Sequence, residues 1–274
     1  MMKLLKKSLL AATLTATVAL PIAGCSSTTD GGAVGADRRQ LLLVSSSEIM
    51  QLSNQAYQQT IAQARAKGKL DTNAAQVARL RRIANDLIPQ TTVYRPDATR
   101  WQWQVHAISS NDINAYVMPG GKIVFYSGII DRLSLTDAEI AAIMGHEMAH
   151  ALREHSREKV SRSVATSGVL SIATAALGLS SGQQELAGLA SQLGLNLPHS
   201  RTQEAEADKI GLELMARAGY NPNAAITLWQ KMQRAGGGST PQFLSTHPSS
   251  ASRIQAMQAL MPTVTPLYNS SNKH

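Results

Sequence analysis

The spacing of apolar and polar residues divides this chain of 274 residues into predicted helices and strands. Apolar side chains recur at helical spacing over residues 41–66 and 73–88, and Pro89 directly follows the second segment. Because proline cannot continue a helix, two helices are predicted, the second ending near Pro89. The core-facing positions expected on that second helix are Val77, Leu80, Ala84 and Leu87.

Residues 101–107 alternate apolar with polar, which is typical of a half-buried strand. His106 falls on its wetter face, so we expect a strand residue there rather than a metal ligand. Residues 114–118 and 123–126 form two further predicted strands, joined through Pro119-Gly120-Gly121. Together these segments predict a small antiparallel meander before the next helix.

Residues 164–197 are dominated by Ala, Gly, Ser and Leu. The polar stretch 182–185 divides them into pieces shorter than the roughly 20 apolar residues of a membrane span. We therefore expect two small-residue helices beside the site described below, although a membrane hairpin stays open as an alternative.

Residues 1–24 resemble a lipoprotein signal peptide: three lysines precede an apolar run at residues 9–20. Ile22-Ala23-Gly24-Cys25 resembles a bacterial lipobox, which implies cleavage before Cys25 and lipidation of this residue. Residues 25–40 would then be a lipidated cysteine and a flexible tether. By the same resemblance, Ser26 after the cysteine favours a periplasm-facing outer-membrane lipoprotein.

The formal net charge is +8, and Cys25 is the only cysteine, so no disulfide can form within the chain. The basic residues are scattered rather than arranged in a stripe interleaved with aromatics, and this excludes nucleic acid as a favoured partner. The sequence does not indicate an oligomeric state.

Residues 146–150 read His-Glu-Met-Ala-His, the HExxH pattern of zinc hydrolases. On a helix, His146 and His150 lie one turn apart on one face, so both imidazoles can reach one metal ion. Glu147 is rotated by about 100° and is placed to act as a general base rather than as a ligand. Residues 136–139 form a capping box that begins such a helix. A surface histidine pair on an ordinary helix is the alternative.

A third ligand is needed, because catalytic zinc usually has three protein ligands and one position for water. His155 is rotated by about 140° from His150 on the same predicted helix, so we expect it to support the site rather than to bind the ion. Glu204 is the better candidate. Its helix begins with a capping box at residues 200–203, and Asp208 lies one turn further, where it can orient a ligand imidazole. A solvated acidic face is the alternative.

Residues 146–150 followed by Ser200-Arg201-Thr202-Gln203-Glu204-Ala205-Glu206-Ala207-Asp208 resemble the paired signature of the gluzincin metallopeptidases related to HtpX, Oma and the CAAX prenyl protease. The resemblance covers residues 41–261. It implies one Zn²⁺ per chain, with His146, His150 and Glu204 as ligands and Glu147 as the base. With the lipobox, the chain is most similar to the lipoprotein members of the LoiP and BepA kind.

Two further stretches match this family. Asn114-Ala115 is similar to its substrate-binding edge strand. Thr246-His247-Pro248-Ser249 with Arg253 is similar to its C-terminal element, which implies that His247 is a fourth ligand or a gate and that Arg253 lies near the site.

These observations predict an α+β fold: a mostly helical zincin-type metalloprotease domain over residues 41–262, with a small antiparallel sheet, an HExxH helix and a flexible tail at 263–274. The expected function is a zinc-dependent endopeptidase of the bacterial cell envelope that cleaves misfolded or misassembled envelope proteins. The alternative is a chaperone-like outer-membrane assembly factor with a largely closed zinc site. A Glu147→Gln variant distinguishes the two.

Overall fold

The computed structural model of the protein describes residues 25–167, 198–235, 241–248 and 251–274. The predicted signal peptide and residues 168–197 of the small-residue segment lie outside the described residues. Within the described parts of the chain, no helix is both long enough and apolar enough to cross a bilayer.

The predicted α+β fold, mostly helical with a small sheet, is confirmed. The helices of the described residues are α1 (Ser46–Ala66), α2 (Ala74–Leu87), α3 (Ser127–Arg132), α4 (Asp137–Leu152), α5 (His155–Ser167), α6 (Arg201–Arg217), α7 (Asn223–Ala235), α8 (Gln242–Thr246) and α9 (Ala251–Asn269). The strands are β1 (Cys25–Ser26), β2 (Gln40–Leu41), β3 (Gln104–Ile108), β4 (Ala115–Met118) and β5 (Lys122–Tyr126).

Side-chain caps fix the helix starts. Thr136 and Ser200 cap α4 and α6 as predicted, each with a reciprocal bond that completes a capping box. Ser45 caps α1 in the same way, so this helix starts at Ser46, whereas the apolar spacing predicts a start at Leu41. Leu41 lies instead in β2.

The three-stranded sheet is mixed, and this corrects the predicted antiparallel meander. β4 and β5 form the expected antiparallel hairpin, but β5 is central and pairs with β3 in parallel. The central position of β5 agrees with its residues, because Ile123, Val124 and Phe125 are completely buried, on both faces of the sheet. β4 is therefore an edge strand. It lies against α4.

Helices α4 and α6 pack against each other, and this contact positions the candidate ligands. Gly145 and Gly211 face each other at this crossing, and a Cβ built on Gly211 would lie 2.8 Å from the backbone nitrogen of His146. The absence of both side chains allows the helix axes to approach closely. This approach brings the histidines of α4 and the carboxylates of α6 within reach of one another.

Residues 25–41, the N-terminal strap, pack onto the domain instead of forming a flexible tether. β1 pairs with β2, and the buried side chain of Gln40 donates to the carbonyl of Arg153 at 2.6 Å. The predicted flexible tail differs in the same way. α9 continues to Asn269, Val264 on it is fully buried, and the nitrogen of His274 donates to the carbonyl of Gly219.

Candidate metal centre

α4 and α6 bring the three predicted ligands together. His146 Nε2 lies 3.1 Å from His150 Nε2, and Glu204 places one oxygen 3.6 Å from the first nitrogen and the other 3.5 Å from the second. Two ligand atoms about 2.0–2.1 Å from a tetrahedral zinc ion lie about 3.3 Å apart. The donor set therefore has the spacing of a tetrahedral metal site.

The protonation of the imidazoles supports a cation between them. His146 Nδ1 lies 3.1 Å from a carboxylate oxygen of Asp208, which can only accept, so Nδ1 donates and a neutral ring keeps its lone pair on Nε2. The neutral ring of His150 also keeps its lone pair on Nε2, because its Nδ1 donates to His155. Two lone pairs 3.1 Å apart repel each other unless a cation lies between them. The residues present thus fit a metal ion.

His150 is oriented through a second histidine. His155 Nε2 lies 3.0 Å from the carboxylate of Glu206, so it donates there and leaves its Nδ1 as an acceptor. His155 Nδ1 lies 2.8 Å from His150 Nδ1, which must therefore donate. The supporting role predicted for His155 matches this contact, whereas Glu206 points away from the three donors and holds His155.

Burial and nearby charges set the charge states of the site. Burial, helped by the other histidines, holds the pKa of His150 well below its usual range, so this ligand is neutral. Burial opposes charge on Glu204, but His247 and the other imidazoles hold its pKa well below the ordinary value. A neutral imidazole and an ionised carboxylate are the forms that bind metals.

Glu147 is buried beside the donors without being one of the three. Its Oε2 accepts a hydrogen bond from the backbone nitrogen of Val117 at 3.3 Å. Burial raises the pKa of this carboxylate, although His247 and His146 oppose the shift. A general base works best when its pKa lies nearer to the working pH than that of an exposed glutamate.

His247 lies at ligand distance, which its position in the sequence alone could not show. Its Nδ1 lies 3.0 Å from an oxygen of Glu204 and 3.3 Å from His146 Nε2, while its Nε2 lies 3.2 Å from Glu147. The ring stacks on Phe243 with centroids 4.5 Å apart. The four residues His146, His150, Glu204 and His247 thus form one group able to hold a metal ion.

Arg253 lies beside the carboxylates of α6. Its guanidinium donates to both oxygens of Asp208 at 2.6 and 2.7 Å and lies 2.6 Å from Glu204. The same group lies over the ring of Trp229 at 4.0 Å. Arg253 therefore fixes both carboxylates of α6, one of which orients His146.

β4 lines a cleft together with Glu147, His150 and His247. The carbonyl of Asn114 accepts from the nitrogen of Tyr126, and hydrogen bonding alternates along an antiparallel strand. The N–H and C=O groups of Ala115 and Val117 therefore point outward, as the bond from Val117 to Glu147 shows. β4 pairs only with β5 among the described strands, so this edge can accept another strand.

Sequence reasoning did not identify His199. Its ring lies 3.9 Å from that of His150 and stacks on that of His247 at 5.0 Å, between centroids. Its backbone nitrogen donates to the carbonyl of Thr246, which ties the two segments together. The only sequence signal was its position directly before the cap of α6, and no spacing rule links it to α4.

The fold and this donor set define a metallopeptidase. The pattern of peptidase family M48 matches residues 74–261, and the chain belongs to this family. Metalloprotease LoiP of Escherichia coli is 30% identical over 248 residues, which cover 89% of this chain and 93% of LoiP.

Two other relatives match over shorter regions. Mitochondrial metalloendopeptidase OMA1 of Schizosaccharomyces pombe is 42% identical over 163 residues, 59% of this chain and 47% of that protein. The β-barrel assembly-enhancing protease of E. coli is 30% identical over 156 residues, 54% of this chain and 32% of that protein. The matched region thus spans less than half of these two relatives.

Proposed function

We propose that the chain is a zinc-dependent endopeptidase of the bacterial cell envelope that cleaves unfolded or misassembled envelope proteins. The observation that carries the proposal is the convergence of His146, His150 and Glu204 at tetrahedral spacing, with Glu147 beside them. Membership of family M48 and the name of LoiP, a metalloprotease, support the reaction class.

His146, His150 and Glu204 would hold the ion, one per chain. When bound, zinc supplies Lewis acidity, which activates water and polarises the scissile carbonyl. Glu147 accepts a proton from the attacking water and delivers it to the leaving amine nitrogen, which is the work of one group acting first as base and then as acid. Asp208 and His155 keep the two ligand imidazoles in the required tautomer.

The substrate would bind as an added strand. An extended peptide can pair with the outward N–H and C=O groups of Ala115 and with the C=O of Val117, whose own N–H donates to Glu147, and this places the peptide backbone beside Glu147. Pairing of this kind depends on backbone hydrogen bonds rather than on particular side chains, and it requires an extended segment of the substrate. Unfolded segments meet this requirement, whereas compact folded proteins do not.

Cleavage of an unfolded polypeptide tests the activity. Purified protein with zinc should cut reduced, unfolded casein at internal bonds, and a chelator should stop the reaction until zinc is returned. Glu147→Gln should retain zinc and lose roughly 10²–10⁴-fold in rate, because it cannot accept the proton. Cleavage by Glu147→Gln at the wild-type rate would refute this chemistry. If Glu147→Gln also keeps the full cellular function, the assembly-factor alternative gains support.

The envelope location rests on Cys25, which is exposed, and on the lipobox pattern before it. Lipidation would anchor the protein to the membrane, with the outer membrane favoured by Ser26. Cys25→Ser behind a cleavable signal peptide should appear in the soluble periplasmic fraction, while the parent protein sediments with outer membranes and incorporates labelled fatty acid. A sedimenting Cys25→Ser variant would contradict the anchor.

A further inference from the structure

The N-terminal strap places one arginine in the support of the metal centre. Arg38 donates to both oxygens of Glu206, from Nε at 2.8 Å and from one terminal nitrogen at 3.0 Å. Glu206 is the carboxylate that His155 contacts, and His155 in turn contacts His150. An unbroken series of hydrogen bonds therefore runs from the strap to a predicted metal ligand.

Arg38 also neutralises a second buried carboxylate. Its two terminal nitrogens each donate to one oxygen of Glu158 at 2.9 Å. The planar guanidinium thus binds two carboxylates at once, a geometry that the single ammonium of lysine cannot reproduce. Arg153 contacts Glu206 at 3.2 Å and Arg162 contacts Glu158 at 2.9 Å, so without Arg38 each carboxylate keeps one arginine but loses the guanidinium that bridges the two. Glu206 would then lose two hydrogen bonds, one to each of its oxygens, and would be held less firmly.

The strap is held firmly enough to position this guanidinium. Arg153, completely buried, donates to the carbonyl of Arg38 at 2.7 Å and to the hydroxyl of Thr29 at 2.9 Å. At the preceding turn, one oxygen of Glu213 accepts from the backbone nitrogens of Ala33 and Val34. The strap lies outside residues 74–261, so the match to family M48 does not include it.

We propose that Arg38 is a positioning residue of the metal centre, which holds Glu206 so that Glu206 and His155 fix the tautomer and orientation of His150. The residues that directly follow Cys25 are then part of the support of the active site rather than a spacer. The inference rests on the metal centre of the proposed function, but not on the lipid anchor.

Zinc affinity and the cobalt spectrum test the role of Arg38 in the full-length protein. Arg38→Gln should bind zinc about 10- to 100-fold more weakly in competition with a chromophoric chelator, the range found when outer contacts of a ligand histidine are lost. Its Co²⁺ form should show shifted visible bands. Arg39→Gln is the matched control, because the side chain of Arg39 is exposed and, within the described part of the chain, donates to the carbonyl of Cys25 rather than to a buried carboxylate.

A coupling measurement separates positioning from general destabilisation. In a His155→Phe background the series is already broken, so Arg38→Gln should change zinc affinity by less than about twofold. If Arg38→Gln does not fold, Arg38→Lys is measured instead. Its zinc affinity should be about three- to tenfold lower than that of the parent, because an ammonium group cannot bind both carboxylates as the planar guanidinium does. Wild-type zinc affinity and an unshifted cobalt spectrum in whichever variant folds would overturn the proposal. A wild-type protein that binds no zinc would instead refute the metal centre.

Discussion

Gly211 on α6 lies directly against the backbone of His146 on α4. A Cβ at this position would lie 2.8 Å from the His146 nitrogen and 3.0 Å from its Cα, closer than packed atoms approach. The position of the first predicted ligand therefore depends on the absence of one side chain on the neighbouring helix.

Gly211→Ala should destabilise the protein, although alanine is the better helix former. The gain in helix propensity is about 1 kcal/mol, whereas forcing a methyl group into a packed contact costs about 1–3 kcal/mol or more. Urea unfolding of the metal-free protein measures the difference. Gly31→Ala is the control, since its Cβ would meet Asp37 at an ordinary 3.6 Å. A Gly211→Ala protein more stable than the parent would show that α4 and α6 do not pack this closely.

His247→Ala should keep zinc and cleave unfolded substrate faster. Three ligands remain in this variant, and the position that His247 Nδ1 occupies near Glu204 becomes open to water. If the open form is populated at about 10% or less in the resting protein, the rate should rise about tenfold or more. Zinc content and casein cleavage are measured on the same sample.

Two results would contradict this role of His247. Loss of zinc as complete as in His146→Ala would make it a structural ligand. Retention of zinc with loss of activity would make it a group that acts on the substrate. His106→Ala serves as the control, because that imidazole pairs with Asp71 on the sheet, away from the cleft.

Ala115→Pro should weaken substrate binding without removing the metal. Proline deletes an outward N–H group, and proline is tolerated on an edge strand whose N–H faces away from the sheet. The loss of one backbone hydrogen bond, about 1 kcal/mol, should lower kcat/KM about five- to tenfold. Equal kcat/KM values for the parent and the folded, zinc-loaded variant would show that the peptide does not pair with β4.

The contacts of Arg38 should make the metal-free protein sensitive to acid. Burial alone would raise the pKa values of Glu158 and Glu206, but hydrogen bonds hold each at about 2, led by Arg38 at Glu158 and by His155 and then Arg38 at Glu206. Both folded values lie below the unfolded value of 4.5, so the unfolded state binds more protons between these limits. The resulting stability is complete above pH 4.5 and is lost as the pH falls towards 2.

Each carboxylate contributes on the order of 3 kcal/mol by this linkage. Arg38→Gln should therefore be less stable at pH 7 and lose less stability on acidification, as measured by urea unfolding in chelator at several pH values. Arg39→Gln should follow the parent curve. Parallel curves for Arg38→Gln and the parent would show that Arg38 does not hold these groups ionised.

The sequence predicted what local chemistry determines. The caps at Thr136 and Ser200 fix where two helices begin, and the i, i+4 spacing within each helix brings His146 to His150 and Glu204 to Asp208. The number of residues between the two helices does not say how close they lie in space. The local pattern therefore made Glu204 a candidate for the third ligand, and the resemblance supported joining it to His146 and His150 in one site.

Contacts between distant segments were not predictable in the same way. A run of serine, threonine and glycine after Cys25 is typical of a tether, yet Arg38 and Gln40 within the strap find buried partners on α5 and α6. The predicted antiparallel meander was also wrong. Alternation of apolar and polar residues indicates which side chains of a strand are buried, but not the order or the relative direction of the strands in the sheet.

Zinc content across four proteins tests the account most directly. The parent protein, Glu147→Gln and Glu206→Gln should each hold one zinc ion per chain when saturated, with only nitrogen and oxygen neighbours in the X-ray absorption spectrum. Glu204→Ala should lose the ion, because it removes a donor that lies 3.5 and 3.6 Å from the two imidazole nitrogens. Zinc bound to Glu204→Ala as tightly as to the parent would contradict the assigned site.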